Sequence, residues 1–491
     1  MRKGTCFLLA AVLLATAACA TNPVTGKSQM SLLSEAEELA IGQQQDVEIR
    51  REMGVYDDPA LQAYVTEIGQ ELARGSHRPN LPWTFTIIDS PAINAFALPG
   101  GYIYITRGIL AYLDDESELA GVLGHEIGHV TARHAAQAYT RQAQASIGLT
   151  VLSIFVPGVQ PFTELGASGL GVLFLKNDRN AELEADRLGV EYESAAGWDP
   201  SGVPRFLSTL ARVDALSEDG VPNWLSTPPD PASRVGKAEP VAGKFAAATA
   251  AKRNRDDYLD RINGLVFGDN PKDGIVRGNV FLHPLLRIGL DFPDGWDVIN
   301  ATSAVMARDP GTEHYMVMQE VEQPRPVRQG SGGQGGNTIG DTAVAAMRKA
   351  GYSVVDGRIE RINGQEAHVG LYRGTAKGTT GKVLMRAAHI AMGRQVYVVA
   401  GFAPEAEFPL VDREVMPSIQ TFRSLTPAEA SRVHPNKVAF YVVRPGDSWQ
   451  SIAVRQGKNF VNAATLAIMN DREVHVQPQP GDRIKIVVEG I

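Results

Sequence analysis

The stretch LAGVLGHEIGHVTARHAA, Leu119–Ala136, carries two histidines four residues apart, His125 and His129, with Glu126 directly after the first. On a helix, residues four apart share a face, so both imidazoles can reach one metal ion. A catalytic zinc site takes three protein ligands and leaves a fourth position for water, from which a neighbouring carboxylate can take a proton. The spacing therefore predicts a zinc-binding helix with Glu126 as general base. The alternative is an ordinary helix that carries two imidazoles.

The third ligand must come from another part of the chain. A metzincin would have glycine at position 132 and histidine at position 135, but both positions are alanine, and we interpret the nearby His134 as a surface or packing residue. The downstream stretch AELEADRLG has Glu182 and Asp186 four apart, with Glu184 turned roughly opposite. Glu182 can complete a site of two histidines and one glutamate, and Asp186 can hydrogen-bond a ligand imidazole. The alternative is an ordinary solvated acidic face.

The whole chain excludes some classes of protein. A length of 491 residues is too great for one hydrophobic core, so we expect several domains. A composition of 44% hydrophobic and 21% charged residues is ordinary for folded protein. The net charge is −8, and no basic stripe offers phosphate contacts, which argues against nucleic acid as the main partner.

The N-terminus, MRKGTCFLLAAVLLATAACA, resembles a secretory leader more than a buried helix. Two basic residues precede an apolar run that is too short to span a bilayer and ends in small residues. We predict a lipoprotein-type signal peptide over residues 1–18, lipidation of Cys19, and a polar tether over 19–30. The only other cysteine is Cys6, so no disulfide can form within the mature chain.

Several segments follow the tether. Amphipathic helices and the strand GGYIYIT precede the histidine helix, and the very apolar segment 146–175 is interpreted as a helical hairpin, mostly core, with lipid contact as the alternative. A strand-rich pattern over 266–427 indicates a separate α+β domain of unknown role. A third unit begins near Val438.

Three motifs in this order, NAFALPGGYIYITRGIL, HEIGHVTARH and NAELEADRLG, resemble the gluzincin family that includes BepA, LoiP, HtpX and the CaaX prenyl protease. The resemblance covers residues 31–265 and implies a mainly helical, zincin-type metallopeptidase domain with one Zn²⁺ per chain. It implies endoproteolysis by a zinc-bound water, with His125, His129 and Glu182 as ligands and Glu126 as general base.

The resemblance also bears on substrate binding. Such peptidases pair an extended substrate with an edge strand, and four residues of GGYIYIT fit that role, namely Gly101, Tyr102, Ile103 and Tyr104. The alternative is an internal strand. BepA-like members carry STHP after the zinc helices, but here Pro228 stands in place of the histidine, and proline cannot ligate a metal. Arg234 is a candidate oxyanion donor, with a structural salt bridge as the alternative.

Residues 438–488 resemble a LysM domain, a small βααβ module, through the pieces RPGDSW, LAIMN and PGDRIKI. That family binds polymers that contain N-acetylglucosamine, so the resemblance implies peptidoglycan as a partner. The sugar groove would be framed by Gly446–Trp449 and Ile468–Asn470. The alternative is a module that only packs on its neighbour.

Together these features predict an α+β multidomain protein: a lipid-anchored zinc endopeptidase on the periplasmic side of a bacterial outer membrane. Its substrates would be unfolded or misassembled envelope proteins, in quality control or processing, with peptidoglycan held by the LysM-like module. One alternative is a zinc hydrolase that cleaves peptidoglycan. Another is a wall-binding assembly factor without catalysis, although an intact metal set with Glu126 argues against it.

Overall fold

The computed structural model describes residues 19–141, 178–216, 230–245, 251–301, 304–321, 338–376, 379, 381–457 and 460–490. The chain divides into two compact units, one formed by residues up to Phe267 with Asn436–Glu489, and one formed by Gly268–Pro435 with the last two residues. The predicted signal peptide, the predicted apolar hairpin at 146–175 and Pro228 lie outside the described residues. Within the described ranges, no helix is long and apolar enough to cross a membrane.

The first unit is mainly helical. Its strands before the second unit are β1 Cys19–Thr21, β2 Ser28–Met30, β3 Thr84–Ile88, β4 Ala95–Leu98, β5 Tyr102–Thr106 and β6 Val266–Phe267. Its helices are α1 Glu35–Met53, α2 Pro59–Arg74, α3 Arg107–Leu110, α4 Glu116–Thr131, α5 Arg179–Ala195, α6 Gly202–Leu216, α7 Pro231–Phe245 and α8 Arg255–Arg261. Residues 134–141 are also helical.

The segment 19–30, predicted as a polar tether, forms the antiparallel hairpin β1–β2 instead. Its turn is closed by two backbone hydrogen bonds of 2.9 Å, from Asn22 N–H to Lys27 O and from Gly26 N–H to Asn22 O. The Asn22 side chain also donates to the carbonyl of Ala132, just past the end of α4, at 3.3 Å. The hairpin is therefore fixed to the first unit.

The second unit is an antiparallel α+β structure. Its strands are β7 Ile275–Arg277, β8 Val280–His283, β9 Ile288–Asp291, β10 Asp297–Ala301, β11 Ala304–Arg308, β12 Tyr315–Glu320, β13 Ser353–Ile362, β14 Gln365–Gly374, β15 Val383–Met392, β16 Gln395–Pro404 and β17 Arg423–Ser424. Its helices are α9 Ile339–Lys349, α10 Phe408–Gln420 and α11 Pro427–Ala430. The strand orders are β10-β11-β12-β16-β15-β14-β13 and β17-β9-β8-β7.

Helices α9 and α10 cover opposite faces of the seven-stranded sheet. Met347 of α9 packs in a buried cluster with Val398, while Val415 of α10 packs in a cluster with Val399. Neighbouring residues of a strand point to opposite faces, so the sheet is apolar on both sides.

The C-terminal segment belongs to the first unit. It consists of β18 Asn436–Val442, α12 Trp449–Gly457, α13 Ala463–Met469 and β19 Arg483–Glu489, the strand–helix–helix–strand order predicted for 438–488. Its strands join a sheet of order β19-β18-β6, and its buried residues continue the core that includes Leu123 and Ile127 of α4. The predicted division into 31–265, 266–427 and 438–488 therefore differs from the two units observed, because α13 and β19 bury their apolar side chains in the first core.

Helices α4 and α5 approach each other closely because glycine lies at their contact. A Cβ added at Gly124 would lie 3.1 Å from Gly189 O, and one added at Gly128 would lie 3.1 Å from Leu188 Cβ. A Cβ added at Gly189 would lie 3.0 Å from His125 N and 3.1 Å from Val203 Cγ2. These distances are shorter than almost all Cβ contacts in proteins, so glycine permits the short distance between the helices.

The glycines at this contact give a first prediction. We expect Gly189→Ala to lower the free energy of unfolding by about 1–3 kcal/mol, because the new methyl group overpacks the α4–α5 contact. The matched control is Gly236→Ala on α7, where an added Cβ meets nothing within 4 Å. That substitution should stabilise the chain by up to about 1 kcal/mol through helix propensity. Urea unfolding of both variants measures the difference, and equal effects would contradict the close contact.

A second prediction concerns His389, which lies opposite His368 in the β14–β15 pair and is 1% exposed. Burial, with a smaller effect of His368, lowers the pKa of His389 from 6.5 to about 4. The folded state thus disfavours the charged imidazole. The contribution of His389 to the stability of the folded state is therefore fully present above pH 6.5 and declines as the pH falls toward 4. The loss should reach up to about 3 kcal/mol. Hydrogen exchange of the β15 amides should accelerate over this pH range, and His389→Phe should make that acceleration smaller.

Candidate metal centre

Three donor side chains converge between α4 and α5. His125, His129 and Glu182 each present one ligand atom, and these atoms lie within 4.8 Å of one another. The two Nε2 atoms are 3.0 Å apart, and they lie 3.7 Å and 3.5 Å from the Glu182 oxygens. Zinc bonds of ~2.0–2.2 Å in a tetrahedron require donors ~3.4 Å apart, so the three residues fit a zinc ion without large movement.

Glu182 and Asp186 do not form a solvated acidic face. They are 5% and 3% exposed, and both point toward the histidines of α4. An isolated carboxylate is costly to bury, so this pair needs positive partners. Arg234 of α7 supplies one: its guanidinium contacts Asp186 at 2.6 and 2.9 Å and Glu182 at 3.2 Å.

The histidines are suited to metal binding by their surroundings. Burial, with the neighbouring charge of His125, lowers the pKa of His129 well below its usual value, which keeps its imidazole neutral. Burial alone would lower the pKa of His125, but a hydrogen bond with Asp186 and the charge of that carboxylate outweigh burial and raise it. The His125 Nδ1–Asp186 Oδ1 distance is 3.0 Å, so Nδ1–H donates to the carboxylate and Nε2 is left to face the other donors.

Arg234 lies in a salt bridge with the two carboxylates, which is the alternative given for it above. Burial would raise the pKa of Asp186, but the charge and hydrogen bonds of Arg234 dominate and lower it to about 2. Asp186 is therefore ionised at neutral pH. The guanidinium and the Asp186 carboxylate form a buried pair whose geometry fixes the orientation of His125.

Glu126 is 8% exposed and follows His125 on α4. Burial raises the pKa of Glu126 to about 7, with the charge of Glu182 adding to the rise and His125 opposing it. A carboxylate with a pKa near neutrality can both accept and return a proton at physiological pH, as a general base must.

His134 is 2% exposed, so it is not a surface residue, and its two ring nitrogens have polar partners beside the metal site. Its Nδ1 lies 2.9 Å from His129 Nδ1, and its Nε2 lies 3.2 Å from Glu184 Oε2. The face argument assumed a continuous helix, but α4 ends at Thr131 and Arg133 adopts a left-handed φ of 59°. This break turns His134 back toward the donors. The only signal in the sequence was the cluster of a third histidine beside the motif.

The strand expected to bind substrate is not an edge strand. The strand that contains Tyr102, Ile103 and Tyr104 is β5, which pairs with β3 on one side and β4 on the other. It is an internal strand, and Gly101 precedes it in the turn with a φ of 99°. Among the described strands, β3 and β4 form the two edges of the β3-β5-β4 sheet. The Pro-Gly-Gly turn reverses the chain, so the following strand enters between its neighbours.

One flank of the predicted sugar groove is not accessible. Ile468, Met469 and Asn470 are 1%, 0% and 4% exposed. The adjacent Asp471 forms an ion pair with Arg212 of α6 at 2.5 Å. In the other flank, Trp449 is 2% exposed and donates from its indole nitrogen to Val476 O at 2.7 Å. These side chains support the fold of the first unit.

The part of the chain that contains this metal centre is similar to a known peptidase family. Residues 59–241 match the model of peptidase family M48. The chain is 32% identical to the β-barrel assembly-enhancing protease of Yersinia pestis, over 48% of this chain and 50% of the relative. It is 31% identical to the Escherichia coli (strain K12) protein of that name, over 50% and 52%. It is 32% identical to the mitochondrial metalloendopeptidase OMA1 of Arabidopsis thaliana, over 38% and 36%.

The chain spans about half the length of the assembly-enhancing proteases that it matches. The residues that match the family model, 59–241, include all three metal donors. Among solved structures, PsbP of Synechocystis is similar at 13% identity with a TM-score of 0.23, over 32% of this chain and 98% of PsbP. The family match and the converging His125, His129 and Glu182 agree on the metal and on the class of chemistry. Residues 59–241 of this chain are therefore similar to peptidase family M48 and to the β-barrel assembly-enhancing proteases, and within them His125, His129 and Glu182 fit a zinc ion.

Proposed function

We propose that this protein is a zinc endopeptidase of the bacterial cell envelope that hydrolyses peptide bonds in protein substrates. The observation that carries the proposal is the convergence of His125, His129 and Glu182 on one point, with Glu126 beside them on α4. Bound zinc would supply a Lewis acid that lowers the pKa of a water molecule and polarises the substrate carbonyl.

The residues of the chain divide the remaining work. His125, His129 and Glu182 would hold the ion, and Asp186 accepts the Nδ1–H of His125, which leaves Nε2 free to bind a metal. Glu126 takes a proton from the attacking water and delivers it to the leaving amine. Arg234 neutralises part of the negative charge of the two buried carboxylates and so lowers the cost of burying them.

We infer that the substrate binds in an extended form along β4, because this edge strand, unlike β3, packs against the metal helix α4. The outer edge of β4 has no neighbour among the strands the structure describes, and main-chain hydrogen bonds to such an edge recognise a peptide without regard to its sequence. That mode suits unfolded or misassembled chains, and it is the reason we propose quality control of envelope proteins. The name of the bacterial relatives, which refers to β-barrel assembly, agrees with this proposal.

Attachment to the periplasmic side of the outer membrane is the second part of the proposal. It rests on the leader-like N-terminus and on Cys19, the candidate site of lipidation. The β1–β2 hairpin that begins at Cys19 is bonded to the end of the metal helix through Asn22. A lipid on Cys19 would therefore hold the active site close to the membrane, where outer-membrane proteins assemble.

Protein is a better candidate substrate than peptidoglycan. One flank of the expected sugar groove, Ile468–Asn470, is buried in the first unit. The alternatives of a peptidoglycan hydrolase or a wall-binding scaffold both need that groove, so the structure offers them less support. We propose that the C-terminal segment acts mainly as part of the peptidase unit, and that any contact with peptidoglycan is limited to the turn around Gly446.

A third prediction tests the proposed activity. We expect Glu126→Gln to retain one zinc per chain but to cleave casein at least about 100-fold more slowly, because the base is lost while the ligands stay. Zinc content by atomic absorption and cleavage by gel assay give the two readouts. Glu191→Gln is the matched control and should behave as wild type, because Glu191 is a partly exposed acid of helix α5 that pairs with Arg187.

Each outcome has a meaning. Zinc in both proteins with activity only in the wild type and in Glu191→Gln supports the proposal. Equal activity in Glu126→Gln would remove its role as base. Absence of zinc from the wild type after reconstitution would contradict the metallopeptidase function itself.

A further inference from the structure

Three side chains form a hydrogen-bonded row behind the metal site. Glu184 Oε2 lies 3.2 Å from His134 Nε2, and His134 Nδ1 lies 2.9 Å from His129 Nδ1. His134 is 2% exposed, and its ring stands nearly perpendicular to that of His129 with the centroids 5.0 Å apart. Such a buried row is specific in direction, because each nitrogen must either donate or accept.

The position of His129 Nε2 among the metal donors fixes the direction of these hydrogen bonds. The His129 Nε2 atom is the one that faces His125 and Glu182, so it must offer its lone pair, and the proton of this imidazole sits on Nδ1. His129 therefore donates to His134 Nδ1. The proton of His134 must then be on Nε2, from which it donates to the Glu184 carboxylate. One set of tautomers satisfies every contact.

We propose that His134 and Glu184 are positioning residues that fix the orientation and tautomer of the metal ligand His129. This inference rests on the proposed function, since it concerns how the same site holds zinc. The two ligand histidines would then be oriented by two carboxylates of α5, Asp186 directly and Glu184 through His134. Partners of this kind raise the basicity of a ligand imidazole and commonly change metal affinity 10- to 100-fold, as an order of magnitude.

The backbone is arranged to deliver His134 to this place. Arg133 has a φ of 59°, a conformation that a bulky residue rarely adopts without support. The support is a buried ion pair, in which the Arg133 guanidinium donates to Glu38 at 2.6 Å and to Leu33 O at 2.9 Å. Helix α1 thus stabilises the break after α4 that turns His134 toward His129. A histidine that only filled space would not need a reversal of this kind.

Glu184 contacts two side chains, His134 and Arg187. The hydrogen bond from His134 is the largest effect on its carboxyl group and lowers the pKa of Glu184. Arg187, one turn further along α5, lies 3.8 Å from Glu184 and 2.5 Å from Glu191. Glu191 thus shares the helix and the arginine with Glu184 but not the contact with His134, which makes it the matched control.

The experiment measures zinc affinity by competition with a chelator, at one fixed neutral pH, on the full chain. His134→Phe keeps the ring but removes both nitrogens, and we expect the dissociation constant of zinc to rise by about 10- to 100-fold. His134→Asn places an amide oxygen near the Nδ1 position, where it can accept from His129, and should recover part of the affinity. Glu184→Gln should weaken binding less than His134→Phe, and Glu191→Gln should leave it unchanged.

Two further readouts separate positioning from packing. In the His134→Phe background, Glu184→Gln should have no additional effect, because the row is already broken. The visible absorption of the Co²⁺-loaded protein should change in His134→Phe and return toward wild type in His134→Asn. Thermal unfolding of the metal-free variants should stay close to wild type, since the contact acts on the orientation of His129.

The inference is overturned if His134→Phe binds zinc as tightly as wild type. It is also overturned if Phe and Asn weaken binding equally while Glu184→Gln has no effect, which is the pattern of a packing residue. If His134→Phe does not fold, Glu184→Gln alone decides by the same affinity measurement. Failure of the proposed function is a different result, because there the wild type itself neither holds zinc nor shows cleavage that depends on Glu126.

Discussion

The contact between α4 and α5 is the constraint on which the metal centre depends. Two ligands come from α4 and one from α5, and their donor atoms lie 3.0–3.7 Å apart because the helix backbones meet at glycines. A Cβ at Gly124 or Gly189 would lie 3.0–3.1 Å from backbone atoms of the facing helix and would force the two helices apart. The same contact brings Asp186 to His125. Close packing of α4 on α5 is therefore a condition for the ligand geometry.

Charge is the second requirement at the centre. Two carboxylates, Glu182 and Asp186, are buried beside the histidines, and Arg234 is the cation that offsets them in the described structure of this site. Removing one member of such a buried pair typically costs about 3–5 kcal/mol, since the other charge stays in a poor solvent. Arg234 is thus tied to the stability of the peptidase domain as well as to the orientation of its ligands.

Buried charges also stabilise the first turn of α4, and one of them comes from the C-terminal segment. Asp115 caps this helix and is bound by Arg205 through two hydrogen bonds of 2.8 and 2.9 Å. The neighbouring Asp114 accepts from Arg255, and Lys485 of β19, which is fully buried, lies 3.7 Å from Asp114 and donates to Leu113 O. A chain segment more than 350 residues away thus supports the start of the metal helix. This explains why a segment with the element order of a carbohydrate-binding module has little free surface where a groove was expected.

Local patterns in the amino-acid sequence were sufficient to predict the amphipathic helices before α4, the helix α4 itself and the strand–helix–helix–strand order of the C-terminal segment. They also indicated His125, His129 and Glu182, which the fold brings together. They did not predict α6 or α7. Helix periodicity and ligand spacing are short-range properties, so they are visible without a structure. The position of β5 inside its sheet, the contact of His134 with His129 and the burial of Ile468–Asn470 were not visible. Each depends on a reversal of the backbone or on a partner far away in the chain, such as the left-handed Arg133 or the α6 residue Arg212. Such features arise from the packing of distant segments, and no local pattern encodes them.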